Sequence, residues 1–411
     1  MIKKIRSEQL RIGMHVHEFC GSWMDHPFWR SKFTVRTEAE LKRIVTGGLA
    51  ELWIDTSKGL DVQEGAPGVS QAEVAREVEA KLTHFATLPG LLEPLAEAPQ
   101  DAMGKAAALV RRSVPQIASL FNEARMGRAL DVGGCGALVD EISNSVLSDP
   151  GALISVARIK THDEYTYMHS IAVCALMVAL GRQLGLKPEL LKRVGLAGML
   201  HDVGKAVMPL GVLNKPGKLT DEEFAIMKTH PERGHALLVE GKGAGPVVLD
   251  VCLHHHEKFD GSGYPHGLAG DKISLVSKMG AVCDVYDAIT SMRPYKVGWD
   301  PGEALRRMTQ WKGHFDPTVF QAFVKTVGIY PIGALVRLHS GRLGVVTQQN
   351  PQALLAPKVK VFYNTHVKKR IEPHEINLAN RLTNDKVIGC ESPEDWPFTD
   401  LDQLWGAPSP A

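Results

Sequence analysis

The chain has 411 residues, 44% of them hydrophobic and 23% charged, a soluble globular composition long enough for two or three domains. Lysine and arginine number 47 against 46 aspartates and glutamates, a net charge of +1, which gives no ground for a binder of nucleic-acid polymers or acidic membranes. The longest apolar run, Ile171–Leu180, is too short to span a bilayer, and the opening MIKKIRSEQLRIG lacks the apolar stretch of a secretory signal, so the cytoplasm is the expected location.

Residues 1–60 read as a small α/β domain, with short apolar segments at Met14–Phe19 and Leu52–Asp55 around a helical stretch, Glu38–Thr46, closed by Gly47-Gly48. Residues 61–149 read as a linker and helical connector. The stretch 61–72 has linker composition, and Pro89-Gly90, Pro94 and Pro99 interrupt a helical texture that resumes over 101–128 and 137–148. Residues 150–327 read as nearly all helix: Tyr165–Leu184 closed by Gly185, then Pro188–Asp202, Asp221–Glu240 and Ser274–Ser291. From 328 to 411 the texture turns to β, with strands at Leu335–Leu338, Leu343–Val346 and Lys358–Phe362 and turns at Gly341 and Asn350-Pro351. The expected fold is therefore mainly α, with a small α/β domain in front and a β-rich appendage behind. The six cysteines form no CxxC pair, and Cys174 and Cys283 lie in apolar helical runs, which reads as buried free thiols in a reducing compartment.

Chemistry concentrates between His162 and His256. In His201-Asp202-Val203-Gly204-Lys205, Lys205 falls on the helical face of Asp202. A lone His-Asp pair is common by chance, but other candidates accompany this one. His169 sits on its own helix, His230 lies in EEFAIMKTHPERGHALL, and His254-His255-His256 precede the turn Asp260-Gly261-Ser262-Gly263. Asp284 and Asp287 stand three apart among Met279, Val282, Val285 and Ile289, where a carboxylate is costly to bury unless a metal or partner neutralises it. Histidine nitrogens with bridging carboxylates suit iron, manganese or zinc better than calcium or magnesium. A pair of such ions about 3.5–4 Å apart generates hydroxide and holds both oxygens of an in-line phosphoryl displacement.

His201-Asp202 with Gly204-Lys205, HHEKFDGSGYP and DVYDAITSMRPYK together resemble the HD-GYP subfamily of HD-domain phosphohydrolases, over residues 150–327. The first 60 residues (LRIGMHVHEF, SWMDHPFW, LWIDTSKG) more weakly resemble a domain of unassigned function found in front of HD-GYP domains. The resemblance implies an all-helical HD-type domain that hydrolyses cyclic di-GMP to linear pGpG and often on to GMP, by a hydroxide bridging two divalent ions, iron or manganese. It implies one ion on His169, His201, Asp202 and Asp284, and a second on Asp202, His230, His255 and His256. Lys205 would stabilise charge on the phosphoryl oxygens, while Arg293 and Lys296 would hold phosphates and Gly263 and Tyr264 would meet substrate. Implied partners are cyclic di-GMP, a GGDEF-type diguanylate cyclase docking on the Gly263-Tyr264-Pro265 loop, and a second copy of the chain, with no nucleic-acid polymer and no membrane.

Some family members carry a glutamate four residues before the first metal histidine, where it helps bind a third ion. Here that position is Tyr165, and Glu164 is about 100° away round a helix, so two ions are expected. His254 falls outside the matched HHE and reads as a neighbour, Asp287 as a residue that positions rather than binds, and Glu257 and Asp260 as shapers of the turn. His15, His17 and His26 have no recognised metal spacing. The alternatives are a non-catalytic cyclic di-GMP receptor or scaffold of this fold, marked by lost ligands, and an HD phosphohydrolase for another nucleotide.

Overall fold

The computed structural model describes the chain apart from residues 21–31, 47–49, 64–67, 88–101, 159–164, 216, 218, 292–297, 351–352, 381 and 406–411. It divides into two compact units.

The first unit comprises Met1–Leu82 with the segments Lys215–Phe224 and Arg306–Lys312. Its antiparallel sheet has strands β1 (Ile2–Arg6), β2 (His15–Phe19), β3 (Phe33–Thr34), β4 (Glu51–Asp55) and β5 (Val69–Ser70), in the order β3-β2-β4-β1-β5. Helix α1 (Glu38–Thr46) precedes β4, and α2 (Gln71–Thr87) follows β5. Alternation places Ile5 opposite Leu52 and Val16 opposite Ile54, and these residues pack with Met14 and Ile44 as one apolar core. Strands β1, β3 and β5 carry little signal in the sequence. IKKIR carries only two apolar residues, and Val69–Ser70 sits in linker composition but hydrogen-bonds to β1 at the sheet edge. The Gly47-Gly48 turn lies outside the described residues.

The second unit holds most of the helices. In chain order the helices after α2 are α3 (Ala102–Arg125), α4 (Cys135–Ser148), α5 (Pro150–Arg158), α6 (Tyr165–Gln183), α7 (Pro188–Leu200), the short α8 (Leu210–Leu213), α9 (Asp221–Met227), α10 (His230–Glu240), α11 (Pro246–His254), α12 (Leu275–Thr290), α13 (Pro301–Gln310) and α14 (Pro317–Val327), of which α9 through Phe224 and α13 from Arg306 are counted in the first unit. Every residue of α6 from Met168 to Gly181 is buried, as expected of a helix apolar on all sides, and α3, α4, α5, α7, α12 and α14 surround it. Helix α7 approaches closely because a Cβ on Gly198 would lie 2.9 Å from the Val173 carbonyl oxygen.

Two boundaries differ from the sequence reading in ways that shape the site. Helix α7 stops at Leu200, and a 3-10 turn, Val203–Val207, follows, leaving Asp202 between the two. The stretch 221–240 is two helices, broken at Lys228-Thr229. Pro231, which has no N–H to donate, opens α10 and leaves His230 at the helix's first position rather than in its interior.

The C-terminal sheet has strands β6 (Leu335–Leu338), β7 (Arg342–Gln348), β8 (Lys358–Asn364), β9 (Lys369–Asn377) and β10 (Val387–Cys390) in the order β10-β6-β7-β8-β9, followed by α15 (Leu401–Leu404). Leu335, Leu343, Val345 and Phe362 pack with Ile332 and Trp405. The edge strand β9 is exposed along most of its length, so its sequence shows no apolar alternation to read; Pro373 within it is tolerated because an edge has a free side.

Candidate metal centre

Five histidines and two aspartates meet in the second unit. His169 comes from α6, His201 and Asp202 from the end of α7, and His230 from the first residue of α10. His255 and His256 follow α11, and Asp284 lies within α12. All seven are buried, His201 at 0% exposure and Asp202 at 1%. Their donor atoms form two groups, each within 4.8 Å: His169, His201, Asp202 and Asp284, and Asp202, His230, His255 and His256.

Hydrogen bonds fix which ring nitrogen faces inward. His201 Nδ1 donates to the Gly198 carbonyl at 2.7 Å, His230 Nδ1 to Met227 at 2.8 Å, and His255 Nδ1 to Val251 at 3.0 Å. His169 Nδ1 donates to Asp287 Oδ2 at 2.6 Å. Each inward Nε2 of a neutral ring is then a lone pair. Yet His169 Nε2 lies 3.2 Å from His201 Nε2, and His230 Nε2 lies 3.3 Å from His255 Nε2. Facing lone pairs repel unless a cation lies between them. Asp202 Oδ1 is buried with no hydrogen-bond donor, 3.2 Å from His230 Nε2 and 3.7 Å from His255 Nε2. Such an orphaned acceptor costs about 1–3 kcal/mol. Its other oxygen, Oδ2, lies 3.4 Å from His169 Nε2 and 3.3 Å from His201 Nε2. One carboxylate thus offers one oxygen to each histidine group, and the donor set fits divalent cations.

The electrostatics agree. Burial works against charge throughout, but the Asp202 and Asp284 carboxylates raise His201 to about 10, so without a metal a proton supplies the missing positive charge. Burial, helped by the charges of His201 and His230, lowers His255 to about 3. Burial would push Asp202 up, but Lys205 and His201 hold it well below the usual carboxylate range.

Lys205 Nζ donates to Asp202 Oδ2 at 2.5 Å from a partly open position. A Cβ on Gly204 would lie 1.9 Å from the His230 carbonyl oxygen, so only glycine lets this turn pass α10. Tyr264 stacks on His256 with ring centroids 4.7 Å apart, and Lys228 Nζ lies 5.9 Å from the Tyr264 ring centroid. A Cβ on Gly263 would lie 2.3 Å from the Lys258 nitrogen, which explains a glycine beside Tyr264. Glu257 is buried and accepts from the backbone nitrogens of His266 and Leu268, so it shapes the turn. Tyr165 lies parallel to His169 at 6.2 Å. His254 points away from the cluster, to Asp250 and His266. Glu164, Arg293 and Lys296 lie outside the described residues. The sequence marks Lys228 only by its place two residues before His230.

Residues 147–319 match the HD domain, and residues 2–135 match a domain of unknown function, DUF3391. A cyclic di-GMP phosphodiesterase of Pseudomonas aeruginosa is 52% identical over 406 residues, covering 98% of this chain and 96% of that one. The chain belongs to the HD-GYP branch of the HD-domain phosphohydrolases. Other relatives match over part of the chain. A cyclic di-GMP phosphodiesterase response regulator of Xanthomonas campestris is 43% identical over 36% of this chain and 39% of its own. A 3'3'-cGAMP-specific phosphodiesterase of Vibrio cholerae is 35% identical over 42% of this chain and 41% of its own.

Proposed function

We propose that this chain is a metal-dependent phosphodiesterase that hydrolyses cyclic di-GMP to pGpG, with cleavage of pGpG on to GMP read out by the test below. The observation that carries the reading is Asp202, buried with one carboxylate oxygen in each histidine group. The choice of substrate follows the relative that matches nearly the whole chain at 52% identity, against 35% over part of it for the cGAMP enzyme. His169, His201, Asp202 and Asp284 would hold one divalent ion, and Asp202, His230, His255 and His256 a second. Histidine nitrogens with bridging carboxylates suit iron, manganese or zinc, and the resemblance to HD-GYP proteins favours iron or manganese among them. Two such ions supply Lewis acidity and an ionised water at neutral pH.

The chain's own residues do the rest. The Nδ1 bonds of His169, His201, His230 and His255 fix their rings, so the site is preorganised. Lys205 places a fixed cation where charge builds on the phosphoryl oxygens. Arg293 and Lys296 hold phosphates, and Gly263 with Tyr264 closes the substrate side. A receptor without catalysis is not favoured, because no ligand position is lost. Free buried Cys174, Cys252 and Cys283 support a reducing, cytoplasmic setting.

The test is to load the protein anaerobically with iron or manganese, add cyclic di-GMP, and follow pGpG and GMP by chromatography. Turnover that disappears in the double variant His201→Ala, Asp202→Ala, with folding intact, is expected. Tight binding without turnover in the loaded wild type would favour the receptor.

A further inference from the structure

His254 is the histidine of the triple run that does not join the metal centre, yet it is tied on both sides. Its Nδ1 donates to Asp250 Oδ1 at 2.8 Å. That bond leaves its Nε2 as an acceptor, and His266 Nδ1 lies 3.1 Å away, on the loop that carries Tyr264. The other Asp250 oxygen accepts from Ser274 Oγ and, at 3.0 Å, from Ser277 Oγ. Ser274 is the N-cap of α12, the helix of Asp284 and Asp287, and its Oγ accepts from the Ser277 nitrogen at 3.1 Å. Asp250 therefore joins the α12 cap to His254, and His254 joins both to the loop. Glu257 grips the same loop, accepting from His266 N at 2.8 Å and Leu268 N at 3.0 Å. The loop's yield is Tyr264, which stacks on His256 while its own nitrogen donates to the His256 carbonyl at 3.2 Å.

We infer that His254 is a positioning residue: with Asp250 and His266 it forms a brace that holds the Tyr264 loop against the metal centre. The brace reaches no metal-facing atom, so its loss frees the loop while leaving the ligands in place. The kinetic half of the test rests on the proposed hydrolysis of cyclic di-GMP; the exchange half needs no substrate and stands if that reading fails.

The experiment compares wild type with His254→Ala, His266→Ala and the double variant, measuring amide hydrogen exchange, bound iron or manganese, and steady-state kinetics. In both single variants the His266 and Leu268 amides should exchange at least about 10-fold faster. Metal content should hold, and kcat/KM for cyclic di-GMP should fall about 10-fold or more, with KM taking the larger share. The double variant should be no worse than His254→Ala, as expected for two residues of one bonded chain. His266→Asn, whose side-chain amide can donate in place of Nδ1, should restore most of the protection. Unchanged exchange in both single variants would overturn the inference, as would loss of metal on His254→Ala. Should His254→Ala fail to fold, His266→Ala decides the matter, because its side chain sits on an exposed loop.

Discussion

Asp287 accepts a 2.6 Å hydrogen bond from His169 Nδ1 across 118 positions of sequence, and both residues are buried. The carboxylate sets the ring's tautomer and turns Nε2 toward Asp284, 3.0 Å away. Asp287→Asn keeps the shape but removes the charge and half the acceptor capacity. Metal affinity should fall about 10–100-fold, as for other carboxylates that orient a metal-binding histidine. A competition titration with a chromophoric chelator reads this directly; wild-type affinity would remove Asp287 from that role.

Gly204→Ala puts a methyl group 1.9 Å from the His230 carbonyl and 2.6 Å from the Gly234 nitrogen, both backbone atoms that have no rotamer to change. The expected cost is about 1–3 kcal/mol, with loss of metal as His230 shifts. Gly134→Ala is the control. Its Cβ meets nothing within 4 Å and its backbone is already helical, so it should be neutral or stabilising by about 0.4–1 kcal/mol. Denaturant titration of the two variants checks both figures.

Lys205→Met removes the cation that does most to hold Asp202 ionised. The Asp202 carboxyl then rises, and protons compete for it at a higher pH than in wild type. Metal retention should therefore fail earlier on acidification. At neutral pH kcat should drop about 10²–10³-fold, the usual loss when one fixed donor to a developing oxyanion goes. Metal content measured after dialysis between pH 4 and 8 tests the first part, and a larger change in KM than in kcat would contradict the second.

His201 should also leave a mark on stability. Without metal it titrates near 10, against 6.5 for an ordinary histidine, so the folded chain binds a proton that the unfolded chain releases. That contribution is complete below pH 6.5 and fades as pH rises toward 10. Metal-free protein should lose thermal stability through this window more steeply than loaded protein, in which the cation replaces the proton. Calorimetric scans of both forms at pH 6, 8 and 9.5 make the comparison, and parallel curves would count against a proton at His201.

The cluster of histidines and aspartates is legible because burying such residues in apolar helices is costly, so their presence in runs such as SKMGAVCDVYDAITS stands out. The central helix was legible from its uninterrupted apolar residues. The break before His230 was harder, since Lys228-Thr229 carries no glycine and Pro231 is compatible with the first turn of a helix. Strand β9 left no trace because exposure removes the constraint that makes alternation. His254 reads as a neighbour in the sequence because its partners are a half-buried aspartate four residues before it and an exposed histidine across a loop, and spacing alone does not mark such a pair.

Sharing Asp202 makes the two halves of the centre inseparable but not alike. Beyond that residue, one half offers two imidazoles and a carboxylate, and the other offers three imidazoles. The first is the harder environment and the second the softer, so the two positions rank the same metals differently. Were both halves to hold an ion, filling one would alter the other through Asp202, and the two ions would not need to be a matched pair.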